Sequence, residues 1–437
     1  MLITHRRGLF PPPLFAIAGA SVAVAAGVII SRQPLLVLAA AVVGVGMWLL
    51  LPRLTLVTSL LASSFFFDDF LTERFGFWNP GKLLGVLAAG SLLVTWMSDH
   101  RPLVWSRQAV VLLGMSGSLL ISFTFAREPG VAMQVGVRYV MFFALFFIAL
   151  QAVRRRADVD WLIDVLVIAA TVASLIGLFN FFFNGYARVS GPMTTPGDFG
   201  FVLGSTVPLT VYRAAVSRGA ARALRIAAAL VILAAIIGTF ARADIVGLTA
   251  AGAWVVISGR LRIRWVVVSL AAVALIGLTA YEVRPDLIEN SLALKENVAQ
   301  KNVDSRYGLW AVAVDEWQAA PIFGVGPGNY EVRFPEFKSP FRQKVETTHN
   351  AYLNILAELG LLGLALFVVF LVQSWGAVRR RAVERQDDWL QTAIAAGFLV
   401  ALVGALFMTE QFYPPLWFLA ALGVALDHLR DAEAVTT

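Results

Sequence analysis

The chain contains no cysteine. Disulfide cross-links, zinc–thiolate centres and thiol nucleophiles are therefore excluded, and no thiol records the redox state of a compartment. Charge is scarce as well: Asp, Glu, Lys and Arg make up 14% of 437 residues, against about 25% in soluble domains. Histidine occurs four times, at His5, His100, His349 and His428, too scattered for a histidine metal cluster by local spacing. Repeats, low-complexity tracts and Pro/Ser-rich linkers are missing too. Nothing divides the sequence, and residues 1–437 are expected to form a single membrane domain.

What is present is apolar. Hydrophobic residues account for 59% of the chain and the mean hydropathy is +0.76, the composition of a polytopic membrane protein. Apolar stretches fall near 14–30, 34–51, 54–67, 82–97, 108–124, 135–152, 161–183, 199–214, 224–240, 243–259, 265–281, 351–375, 389–408 and 412–428. The expected fold is an all-α, polytopic integral membrane helical bundle of about 12–14 transmembrane helices. One long outer loop, 282–348, is expected to contain amphipathic helices. The stretch at 54–67 is short for a span and is read as a short or tilted one. The amino terminus, with Arg6 and Arg7 before an apolar run, superficially resembles a signal peptide and is read as an uncleaved first helix.

The net charge of +7 and pI of 9.9 would point to nucleic acid in a soluble protein. Here the arginines gather between apolar runs: Arg6 and Arg7, Arg101 and Arg107, Arg154 to Arg156, Arg218, Arg222 and Arg225, Arg260, Arg262 and Arg264, and Arg379 to Arg381 with Arg385. If alternate loops are cytoplasmic, these clusters all lie on that side, as the positive-inside rule requires. The basic excess is thus a topology signal rather than a nucleic-acid patch. Both termini are expected in the cytoplasm.

The opposite, periplasmic or extracellular side carries the informative loops: 68–82 with Asp68 and Asp69, 185–200 with Arg188, the hairpin 239–244 (TFARAD) with Arg242, and 282–348. In the last, Asp304 or Ser305 can cap a helix with Arg306 in its first turn and Trp310, Val314 and Trp317 on one face. Residues 324–329 (GVGPGN) superficially resemble a phosphate loop, but lack the Lys-Ser/Thr that would follow and are read as a turn. His349 is the only histidine at this boundary. It starts the segment 348–363 (THNAYLNILAELGLLG), where Thr347 or Thr348 can cap the helix, and helical projection puts Gly360 and Gly363 on the histidine's face for close helix packing. An imidazole there can take a proton from a hydroxyl, or simply hydrogen-bond a loop. Arginine forks suit phosphate oxygens, so Arg188, Arg242 and Arg306 are candidates for an anionic lipid. Local pairing of Arg242 with Asp244 and of Arg306 with Asp304 is the plainer alternative.

The His-Asn pair at 349–350 followed by Gly360 and Gly363, the segment 305–330 (SRYGLWAVAVDEWQAAPIFGVGPGNY) and the TFAR hairpin together resemble the O-antigen ligase and O-antigen polymerase superfamily. The family's hairpin reads T-x-S-R, and Ala241 stands in place of the serine. The resemblance runs from about residue 188 to 418. It implies metal-independent, inverting transfer of a glycan from an undecaprenyl-diphosphate-linked donor to an acceptor hydroxyl, with no cofactor, no metal and no nucleic acid. His349 would be the general base, and Arg242 and Arg306 would hold the diphosphate. Arg188, Asn350 and Tyr330 would contact substrate. The expected partners are that donor, a glycan or lipid-linked glycan acceptor, and the bilayer. Two rivals stand beside this: a metal-dependent membrane glycosyltransferase built on Asp68 and Asp69, and a lipid-linked glycan flippase or other transporter, which would be expected to show internal pseudo-symmetry.

Overall fold

The computed structural model describes residues 49–76, 79–99, 102–260, 262–337, 345–384 and 389–436. The stretches at 14–30 and most of 34–51, and with them the amino-terminal helix, lie outside these. The helices are α1 (Leu54–Ser64), α2 (Asp68–Phe75), α3 (Pro80–Asp99), α4 (Arg107–Phe123), α5 (Pro129–Ala152), α6 (Arg156–Phe183), α7 (Pro196–Val216), α8 (Gly219–Gly238), α9 (Arg242–Ile257), α10 (Ile263–Val283), α11 (Pro285–Ala319), α12 (Asn329–Arg333), α13 (Ala351–Glu384), α14 (Trp389–Gly404) and α15 (Pro414–Thr436). No strand occurs among the described residues, and the chain is an all-α polytopic membrane bundle.

Local chemistry sets where the helices begin. Pro129, Pro196 and Pro285 occupy first-turn positions, where a missing N–H costs nothing. The Ser106 hydroxyl accepts from the Ala109 N–H, and the Asp158 carboxylate accepts from the N–H groups of Arg154 and Arg155. Among the described residues, six helices are long and apolar enough to cross a bilayer: α3, α5, α6, α7, α8 and residues Ala351–Arg379 of α13. Helices α4 and α14 are apolar but only 17 and 16 residues long. At about 1.5 Å per residue they fall short of a hydrocarbon core of about 30 Å. The stretch at 54–67 is not a straight tilted span. It is α1, followed by a bend of 85° into α2, which buries none of its residues.

Helix α7 is the axis of the bundle: its apolar window is 78% buried, against 17% for the peripheral α3. Glycines let its neighbours approach. A Cβ on Gly397 of α14 would lie 2.5 Å from the Ser205 carbonyl of α7, and one on Gly247 of α9 would lie 3.1 Å from Val400. Trp417 of α15 is fully buried among Phe142, Phe143, Phe367 and Phe370.

The two ends of the bundle differ chemically. Where α6 begins and α7 ends, Arg213 donates to Asp164 (2.7 Å) and Asp160 (2.6 Å), Arg225 reaches Asp164 at 3.1 Å, and the Tyr212 hydroxyl donates to Asp160 at 2.9 Å. Two aspartates one turn apart on α6 thus meet Arg213, and one of them, Asp164, also meets Arg225 of the cluster near 218–225. Where α6 ends and α7 begins lie the loop 184–195, the α8–α9 hairpin and the start of α13.

The segment 282–348 departs from expectation. Asp304 and Ser305 cap nothing: α11 runs unbroken from Pro285, with Arg284 at its cap position and no side-chain cap bond. Helix α11 then packs Leu309, Val312 and Ala313 against Tyr330, Phe334 and Ala357, a second small core at the end of α13.

Helix α13 is itself broken. Gly360 has φ +68° and ψ −168°, so the residues before and after it do not share one helical face. The reason is the loop 321–328. The N–H groups of Val325 and Gly326 donate to the carbonyls of Ala357 and Glu358, both at 3.0 Å, while those of Leu361 and Leu362 donate to Pro321 and Ile322. Loop backbone thus satisfies the groups that the break frees. Contact is close enough that a Cβ on Gly360 would meet the Ile322 carbonyl at 2.3 Å, and one on Gly324 the Glu358 carbonyl at 2.3 Å. Gly360 is a backbone-conformation glycine, and the projected His349–Gly360–Gly363 face does not exist.

Candidate active site

His349 precedes α13 with φ +49°, in the left-handed region that a histidine seldom adopts. Its neighbours hold it there. Thr348 is fully buried and its hydroxyl donates to the Asn350 carbonyl at 2.8 Å. Asn350, not Thr347 or Thr348, is the helix cap: its Oδ1 accepts from the N–H groups of Tyr352 and Leu353, each at 3.0 Å, and its Nδ2 donates to the Leu406 carbonyl at 3.1 Å. The side chain of His349 is 41% exposed, with Nε2 3.8 Å from a Glu346 carboxylate oxygen. A strained backbone between two anchored residues presents the ring outward.

The second non-glycine residue with positive φ among those described is Phe240, at +51°, inside the TFAR hairpin. Its ring packs against Phe181, and the Ala241 N–H donates to the Thr239 hydroxyl at 3.1 Å. Arg242 opens α9 with an exposed side chain. It does not pair with Asp244, which is buried and faces the other way, so closely against α7 that a Cβ on Gly200 would lie 1.8 Å from its carboxylate. Arg188 reaches the same hairpin: its Nε donates to the Thr239 carbonyl at 2.7 Å, and the Val189 N–H donates to the Gly238 carbonyl at 2.8 Å. Burial pulls the Arg188 guanidinium below its usual value, and the charge of Asp244 opposes this.

Arg306 is half-buried on α11, and burial lowers its guanidinium from the usual value. The side chain of Asp304 lies outside the described residues. One turn further along, the Trp310 indole donates to the Thr348 carbonyl at 3.0 Å. That bond fastens the Arg306 helix beside His349. Tyr330 is a core residue: it is fully buried and its hydroxyl donates to the Leu309 carbonyl at 2.9 Å. The polar groups of Asn350 and Tyr330 are thus engaged by the chain's own backbone.

The structure gives the glycine run and the acidic pair other tasks. Gly324, Gly326 and Gly328 all have positive φ, and the run is a turn whose N–H groups serve the break in α13. Asp68 accepts from Asn79 Nδ2 at 2.9 Å, and Asp69 accepts from the Thr194 N–H (2.7 Å) and hydroxyl (2.8 Å). Both aspartates clamp loops. Among the described residues no group of three or more His, Cys, Asp or Glu side chains is placed to hold a metal ion.

Asp198 was not singled out in the sequence, where it is one acidic residue among turn formers. Its carboxylate accepts from the hydroxyls of Thr195 and Tyr413 and lies within electrostatic range of His349. Glu316 of α11 was missed as well: both its carboxyl oxygens are buried with no hydrogen-bond partner among the described residues, and burial, then the charge of Glu358, pushes it up to about 9.

Comparison with known proteins bears on the same region. A family model described as O-antigen ligase matches residues 227–368, which include Arg242, Arg306 and His349. A protein described as an O-antigen ligase from Pseudomonas aeruginosa is 24% identical over 333 residues, covering 71% of this chain and 76% of the relative.

Proposed function

We propose that the chain is a membrane glycosyltransferase of the O-antigen ligase/polymerase type acting on lipid-linked glycans, and that its site divides the work as follows. The donor is a polyprenyl-diphosphate-linked glycan, undecaprenyl diphosphate in a bacterial membrane. Arg242 and Arg306, with Arg188 behind the hairpin, take its diphosphate. His349 takes the proton of the acceptor hydroxyl as its oxygen attacks the anomeric carbon from the face opposite the diphosphate. The new C–O bond forms as the bond to the diphosphate oxygen breaks, so configuration inverts and the lipid diphosphate leaves with its developing charge met by guanidinium groups. No divalent ion is needed when arginines supply that charge. The site faces the periplasmic or extracellular side of the cytoplasmic membrane, and both termini are cytoplasmic.

The observation that carries this reading is the Trp310–Thr348 hydrogen bond, which ties the helix bearing a half-buried arginine to the residue next to His349. The test is reconstitution of the purified protein with a lipid-diphosphate-linked oligosaccharide and an acceptor. Arg242→Ala and Arg306→Ala are each expected to lower kcat/KM by about 10²–10³-fold, and lysine replacements to recover only part of it, because a point charge replaces a fork. Turnover is expected to be the same with and without chelator. A product ladder would identify polymerisation, and a single addition would identify ligation to a terminal acceptor such as a lipid A core. Full activity in a His349→Asn variant, or turnover that requires metal and is lost at Asp68 and Asp69, would overturn the assignment.

A further inference from the structure

Four contacts bring the start of α7 to His349 without reference to any charge. A Cβ on Gly197 would touch Met408 at 3.2 Å, and the rings of Phe201 and Tyr413 lie 6.3 Å apart, so the helix start sits on the segment 404–413. The same segment holds the histidine side: the Asn350 side chain donates to Leu406 at 3.1 Å and the Ala351 N–H donates to Ala405 at 2.9 Å. Asp198 points into this junction, held by the hydroxyls of Thr195 and Tyr413, and its charge acts on His349.

We propose that Asp198 is the positioning carboxylate of His349: it orients the imidazole and stabilises the imidazolium that forms when the acceptor proton is taken. The proposal rests on His349 being the base. The groups facing this pair are Asp69 from α2, Thr195 from the loop before α7, Tyr413 from the turn before α15, and Glu346 from the chain before His349. Glu346 is the competing carboxylate. It stands 3.8 Å from Nε2, beyond hydrogen-bond length, on a partly exposed side chain three residues away. Asp198 is fixed by two hydroxyls at a helix start, and a fixed partner selects one ring orientation, as a buried carboxylate does for the imidazole in Ser-His-Asp enzymes.

The experiment compares Asp198→Asn, Asp198→Glu, Tyr413→Phe, Glu346→Gln and His349→Asn in the reconstituted assay across pH, with donor KM measured for each. Asp198→Asn is expected to lower kcat by roughly 10–100-fold at unchanged donor KM. Because a nearby carboxylate favours the protonated ring, its loss should also move the acid limb of the kcat profile about 0.5–1 unit toward lower pH. Asp198→Glu should recover part of kcat, and Tyr413→Phe should show a smaller change of the same kind. A wild-type kcat profile in Asp198→Asn, a change confined to donor KM, or a shifted limb in Glu346→Gln alone would overturn the role of Asp198. If His349→Asn is fully active, it is the base assignment that fails. If His349→Asn is inactive while Asp198→Asn behaves as wild type, only the present inference fails.

Discussion

Among the described residues, a side chain held at positive φ without being glycine marks each half of the proposed site, His349 on its proposed acceptor side and Phe240 beside Arg242. Neither was legible in the sequence: a glycine or asparagine there would have announced a left-handed residue, whereas histidine and phenylalanine announce nothing. Asparagine tolerates that region, so His349→Asn should melt within a few degrees of wild type while losing about 10²–10⁴-fold in rate. His349→Val, β-branched at the same φ, should cost an additional 1–2 kcal/mol or so of stability. Thermal unfolding in detergent separates the two. Glu316 gives a prediction of the opposite kind, on stability without chemistry. Its ordinary value is 4.5 and its folded value is raised to about 9, so the folded protein holds a proton that the unfolded chain releases in that window. Stability from the protonated form is complete below pH 4.5 and is lost as pH rises toward 9. Glu316→Gln should therefore match wild type near pH 4.5 and exceed it in melting temperature by an amount that grows up to pH 9. A difference independent of pH would remove Glu316 as the cause.

At the scale of elements, helix positions were read well from apolar runs, since each described run from 82–97 onward became a helix with ends shifted by up to nine residues. What the runs did not carry is the break in α13. Helical projection treats 348–363 as one cylinder, and Gly360 as a small residue for packing. The loop that forces the break lies more than thirty residues earlier in the chain, so no local pattern records it. The candidate arginines and histidine could be picked out because polar groups stand out in an apolar chain. Asp198 was not, because its meaning depends on the segment 404–413. Gly360→Ala must leave a left-handed conformation or collide with Ile322, and Gly324→Ala must collide with Glu358, so each should destabilise by about 2–4 kcal/mol. Gly376, in the same helix with nothing near its missing Cβ, is the control. Its alanine variant should be neutral or stabilising by up to about 1 kcal/mol.

For the molecule as a whole, charge distribution gave two chemically different ends, and the structure keeps them apart while adding the acidic partners Asp160 and Asp164 to the basic one. The absence of native cysteine makes orientation directly measurable. Tyr186→Cys, exposed beside Arg188, should react with a membrane-impermeant maleimide in intact cells, and Arg222→Cys, exposed at the other end, only after lysis. The reverse pattern would turn the molecule over. The backbone bonds across the break in α13 also bear on how such proteins can be recombined. In the sequence the segment 282–348 looks like a cassette, an exchangeable insertion between two apolar stretches. It is not separable, because residues 321–326 complete the hydrogen bonding of α13 and Gly360 gives them room. A chimera that trades the loop without the first three turns of the helix after it would join two backbones that do not fit. The unit of exchange in engineering is the loop together with the start of α13.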